Sequence, residues 1–111
     1  MRRFSALFAI LPAVFVATAL EAKGIAEKGK TKAAQVCAAC HGAEGAKPVA
    51  PENPILAGQY EDYLVKALSD YKSGKRANPV MKAFAEPLTA QEIEDLAAWF
   101  SSQKSDLHFK R

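Results

Sequence analysis

The sequence predicts an all-α domain built from three main helices. Small and apolar residues recur at three- and four-residue spacings in three separate segments, no alternating run of strand length occurs, and long loops rich in Gly and Pro divide the segments. The 111 residues allow one small domain, and a hydrophobic content of 50% excludes a disordered tail.

The chain begins Met1-Arg2-Arg3, continues as an apolar run from Phe4 to Val16, and then reads Ala17-Thr18-Ala19. A basic start, a short apolar run and an A-x-A site describe a secretory signal peptide over residues 1–19, with cleavage as late as Ala22 as a variant. An uncleaved membrane anchor is the competing reading, but the run is short for a span of ~20 residues and contains Pro12. Export removes Arg2 and Arg3 and brings 15 basic against 12 acidic residues close to balance. A near-neutral domain argues against nucleic-acid binding, which needs a clustered basic surface. Export also removes Phe4, Phe8 and Phe15. Alanine then supplies much of the remaining hydrophobic content, and so small a core is marginal without reinforcement.

The first helix is expected over 25–37, where Ala26, Gly29, Ala33 and Val36 make a stripe of small residues suited to a close helix crossing. Gly29 within it costs ~1 kcal/mol relative to Ala and asks for a packing reason. Residues 42–59, with three Gly and three Pro, read as a long loop. A second helix runs Glu61 to Ser73 with Leu64, Ala67, Leu68 and Tyr71 on one face, stopped by Gly74. Lys75 to Leu88, punctuated by Pro79 and Pro87, reads as a second loop. Thr89-Ala90-Gln91-Glu92 fits a capping box, and Ile93, Leu96, Ala97 and Phe100 follow at helical spacing, with Trp99 beside them. That helix should end near Gln103, leaving residues 104–111 as an exposed tail.

Cys37-Ala38-Ala39-Cys40-His41 has the C-x-x-C-H spacing of covalent haem attachment. Two thiols add across the two haem vinyl groups, and His41, immediately next, offers an imidazole to the iron. A disulfide between Cys37 and Cys40 would close a tiny loop and stabilise little. A redox dithiol belongs after a strand, and none precedes Cys37. A zinc site needs further ligands, and no second cluster exists in the sequence. Covalent haem also fills the thin core. Beyond His41, the chain expected after export contains one Met, Met81, and one other His, His108. Met81 lies beside Pro79, which restricts the backbone, whereas His108 falls in the tail, where holding an iron ligand is harder. The competing role for Met81 is core filling.

Cys37-Ala38-Ala39-Cys40-His41-Gly42, Pro54-Ile55-Leu56-Ala57-Gly58-Gln59, Asn78-Pro79-Val80-Met81 and Asp95-Leu96-Ala97-Ala98-Trp99-Phe100 resemble the small class I c-type cytochromes of bacteria, particularly the single domains of two-haem members. The resemblance covers about residues 24–103. It implies a cytochrome c fold, three main helices wrapped around one covalently attached haem c held by Cys37 and Cys40. It implies His41 and Met81 as axial iron ligands and the Pro54 carbonyl as the hydrogen-bond partner of His41. Asn78 and Tyr71 are candidates for contact with the Met81 sulfur. Gly29 would lie where the first helix crosses the last, against Trp99. Ala33 departs from the pattern, standing where many relatives carry an aromatic, although two-haem domains often have a small residue there.

With both axial positions filled by protein, no coordination site is open for substrate, so the expected function is electron transfer and not catalysis. His/Met ligation and an apolar pocket raise the reduction potential. The resulting expectation is an exported, periplasmic, monomeric carrier that docks transiently with redox proteins at the haem edge, without stable membrane insertion. A permanent subunit of a dehydrogenase or oxidase complex is the alternative. Lys72, Lys75, Arg76 and Lys82 flank Met81, either as a weak docking rim or as ordinary solvated side chains.

Overall fold

In a computed structural model, residues 5–6, 9–13 and 23–105 are described. The expected cleavage positions Ala19 and Ala22, much of the export segment, and tail residues 106–111 with His108 lie outside them. Among the described residues five helices follow one another: α1 (Ala26–Val36), α2 (Ala38–His41), α3 (Glu61–Ser73), α4 (Pro79–Ala85) and α5 (Ala90–Ser101). No strand occurs among the described residues. The three expected main helices are α1, α3 and α5.

The segment expected as a second loop, 75–88, contains α4, which corrects the sequence reading. Asn78 is the reason: its side-chain oxygen accepts from Val80 N at 3.1 Å and Met81 N at 3.0 Å. Pro79 takes the first helical position, where its missing N–H costs nothing and its ring presets φ. The proline therefore starts a helix instead of marking only a loop.

Helices α1 and α5 cross at backbone contact. A Cβ on Gly29 would lie 1.9 Å from the Asp95 carbonyl oxygen and 2.9 Å from Trp99 Cβ. Gly24, just before α1, stands in the same relation to α5, with a Cβ 1.9 Å from the Glu94 oxygen. The mid-helix glycine thus has its packing reason, and the closeness recruits polar ties. The buried Asp95 carboxylate accepts from Ile25 N at 2.7 Å, at the start of α1, and from Gln91 Nε2 at 2.9 Å. The expected capping box is present, with Thr89 Oγ1 accepting from Glu92 N and Glu92 accepting from Thr89 N, each at 3.0 Å. Lys32 of α1 reaches the same Glu92 at 2.8 Å and, with the cap, holds that carboxyl below its usual range.

The core is small in the way composition foretold. Ala33, Leu64, Ala85, Leu88, Ile93, Leu96, Ala97 and Phe100 form it, and Leu96 is the large side chain it buries completely. Cys37, Leu56, Leu68, Tyr71 and Trp99 pack against it from partly buried positions. Gly29→Ala should lower stability by ~1–3 kcal/mol or more, because backbone and not a flexible side chain must yield. Guanidinium unfolding of the haem-loaded protein reads this as a lower midpoint at unchanged slope. A wild-type midpoint would mean that the helices part freely.

Candidate haem-binding site

The attachment motif sits where α1 ends. Cys37 accepts at its carbonyl from Cys40 N at 3.3 Å and His41 N at 3.1 Å, which winds Ala38–His41 into the single turn of α2. Gly42 then caps the turn at φ +85, a left-handed backbone that side chains disfavour; a Cβ there would also meet the Lys47 oxygen at 2.8 Å. Both thiols are free, Cys37 half-buried against the core and Cys40 exposed. Burial pushes the Cys37 thiol up to about 11, with Lys32 opposing weakly. That is the reverse of the lowered value that makes a dithiol redox-active.

His41 is buried, and its Nδ1 lies 2.9 Å from the Pro54 carbonyl oxygen. A carbonyl only accepts, so Nδ1 carries the proton and donates, leaving the Nε2 lone pair for a metal. Pro54 is held from both sides. The Asn53 amide donates to the Cys40 carbonyl at 3.3 Å, and Val49 N donates to the same carbonyl at 3.0 Å. Further along, Leu56 N and Ala57 N donate to the Gly45 carbonyl, and Gly58 N donates to the Phe100 carbonyl at 2.9 Å. Trp99 Nε1 donates to the Ala43 carbonyl at 3.1 Å. The long loop is therefore tied to the motif at one point and to α5 at two others.

Met81 lies half-buried in the first turn of α4, one turn before buried Ala85. Asn78 acts on it through the backbone, since its side-chain oxygen takes the Met81 N–H. Tyr71 packs against the core, with the Arg76 guanidinium 4.9 Å from its ring centre. Among the described residues neither Asn78 nor Tyr71 donates to the Met81 sulfur. Of the four cations around Met81, Lys72 turns inward and donates to the Glu86 and Leu88 carbonyls. Arg76 also donates to the Tyr63 hydroxyl at 3.2 Å, and Lys82 pairs with Glu86 at 3.5 Å. Sequence reasoning missed the Lys72 contacts, which no local pattern announces.

The donor set fits a covalently held haem: two free thiols, an adjacent imidazole with one nitrogen committed and one available, and a thioether. Apolar side chains also remain exposed on the segments carrying these groups, Val49 and Ile55 around Pro54 and Val80 and Phe84 around Met81. A large flat apolar group needs such surroundings. Zinc does not fit, because among the described residues no group of three or more His, Cys, Asp or Glu comes together.

Fold and motif together define a c-type haem protein. The cytochrome c family model matches residues 26–104, and the chain belongs to the cytochrome c family. It is similar to cytochrome c4 of Pseudomonas aeruginosa, 51% identical over 83 residues that make up 75% of this chain and 40% of that protein. A thiosulfate dehydrogenase electron acceptor of Stutzerimonas stutzeri is 41% identical over 63% of this chain and 32% of its own length. The crystal structure of reduced cytochrome c4 from Pseudomonas stutzeri superposes with a TM-score of 0.69 at 44% identity, covering 76% of this chain and 48% of that one. The chain thus spans less than half the length of these relatives. Family membership carries covalently attached haem c, and Cys37-Ala38-Ala39-Cys40-His41 fits its attachment motif. The all-α cytochrome c fold expected from sequence is the observed one. Acidified acetone should therefore leave haem with the denatured wild-type polypeptide and release it from the Cys37→Ala, Cys40→Ala double variant. Haem extracted from the wild type would rule out thioether attachment.

Proposed function

We propose that this chain is an exported one-electron carrier in which His41 and Met81 are the axial iron ligands. The observation that carries the reading is the buried His41, hydrogen-bonded through Nδ1 to Pro54 at 2.9 Å directly after two free thiols. Haem supplies the one-electron iron couple when bound. The protein's own part is to hold and bias that centre. Pro54 fixes the His41 tautomer and ring direction, and a metal-bound imidazole with such a partner is a stronger donor. Met81 offers a soft sulfur that favours the reduced metal. Asn78 presets the turn of α4 on which Met81 is carried. With His41 and Met81 both holding the iron, no coordination position would remain for substrate, so the chain would act as a carrier and not as an enzyme.

The haem-binding domain spans residues 24–103 in this reading, with residues 1–19 removed on export to the periplasm, or cleavage as late as 22, and 104–111 as a tail. No helix among the described residues is long and apolar enough to cross a membrane. Partners are redox proteins that dock transiently where the haem edge reaches the surface, and small interfaces of that kind are weak and short-lived. Lys75, Arg76 and Lys82 flank Met81 and would supply positive charge to that docking surface, Lys82 partly offset by Glu86, while Lys72 is engaged with backbone carbonyls.

A second reading, a cytochrome subunit held permanently in a dehydrogenase or oxidase complex, is favoured by the 41% identity to a thiosulfate dehydrogenase electron acceptor. Gel filtration of native extracts separates the two: a free carrier elutes at the size of the single chain, whereas a subunit co-elutes with its complex. The ligand assignment is tested optically. Oxidised wild-type protein should show the far-red sulfur-to-iron absorption, and Met81→Ala should abolish it. A band that survives the substitution would remove Met81 from the iron.

A further inference from the structure

Helix α4 has seven residues, too few to persist alone. Asn78 holds its start, and Ala85 anchors its flank in the core. Its exit is held from α3. Lys72, half-buried in the last turn of α3, donates to the Glu86 carbonyl at 3.0 Å and to the Leu88 carbonyl. Glu86 is the C-cap of α4, and Leu88 is buried two residues on. The last carbonyls of a helix have no intrahelical donor, and a cation beside them also meets the negative end of the helix dipole. Charge-assisted bonds to two carbonyls are stronger than their neutral counterparts.

We infer that Lys72 is a positioning residue for the distal ligand: by tying the exit of α4 to α3 it keeps Met81 on the iron and the sixth coordination position closed to outside ligands. The inference rests on the proposed ligation by Met81. Because α4 is one hydrogen-bonded unit, a shift of its exit carries Met81 with it and breaks both Lys72 bonds. Neighbouring cations do not duplicate the tie. Lys82 lies on α4 itself and pairs with Glu86, and Arg76 is engaged with Tyr63 and Tyr71.

Imidazole titration of the oxidised, haem-loaded protein tests this. Imidazole displaces the sulfur without a change of oxidation state: the iron–sulfur bond breaks and an iron–nitrogen bond forms. Its affinity follows the fraction of molecules in which Met81 has let go, so Lys72→Met, which keeps the apolar stem and drops the ammonium, should bind about tenfold tighter or more. Lys72→Arg, which retains a cationic donor, should return toward the wild-type affinity. Lys66→Met removes an equal charge from α3, where Lys66 pairs with Asp70 at 2.5 Å, and should stay within about twofold of wild type. Unchanged affinity in Lys72→Met, or an equal gain in Lys66→Met, overturns the inference while leaving Met81 as the ligand. Absence of the far-red absorption in the wild type overturns the ligation and the tie together, so the two failures are read from different samples. Lys72→Gln carries the same comparison if Lys72→Met does not accumulate with haem.

Discussion

Backbone contact between α1 and α5 is the constraint on which the rest of this small domain depends. Gly29 lets the two helices approach until a single added Cβ would stand 1.9 Å from the Asp95 carbonyl oxygen. The approach allows buried Asp95 to accept the Ile25 N–H at 2.7 Å and Lys32 to reach Glu92 at 2.8 Å. Close crossing substitutes backbone packing and polar ties for the bulky side chains that this chain lacks, which matters where Leu96 is the large side chain fully buried. It also holds α1 against α5, so that Cys37 at the end of α1 meets the core.

The proximal side hangs from the same pair of helices. Trp99 and Phe100 of α5 hold the long loop at Ala43 and Gly58, and Asn53 and Val49 bind it back to Cys40. Those ties bring the Pro54 carbonyl to His41. A loop of that length would have many conformations if free, so its entropy is offset by being fastened at several points to rigid elements. The segment proposed to hold the second ligand is built on another principle. There a short helix is nucleated by one Asn-Pro cap and closed at its exit by a lysine from α3. Its order comes from capping more than from burial, in keeping with a segment that lies at the surface and carries the proposed second ligand.

Much of this was legible in the sequence because the chemistry is local. Thiol, thiol and imidazole are bound into one stretch of five residues, and the capping box of α5 and the stop at Gly74 are likewise short-range patterns. The α4 helix was less legible: Pro79 read as a loop marker because its role depends on Asn78 serving as a cap, and either residue alone is also common in turns. The bond from the Met81 backbone to Asn78 and the stacking of Arg76 on Tyr71 are likewise not announced by the sequence. Lys72 is not distinguished from any lysine of a solvated rim by its sequence, since nothing in its neighbours reveals two carbonyls fourteen and sixteen residues away.

The sequence by itself determined the all-α class, the haem attachment motif and the need for a cofactor in a core so poor in large side chains. Each follows from residue types at short spacings or from composition. Only the tertiary structure decided that Asp95 would be buried at the start of α1, that Gly24 would repeat the close approach of Gly29, and that Lys72 would close α4. Those facts depend on which surfaces meet across up to 70 residues of chain, and a crossing angle or a buried charge is set by that meeting and not by the residue's immediate neighbours.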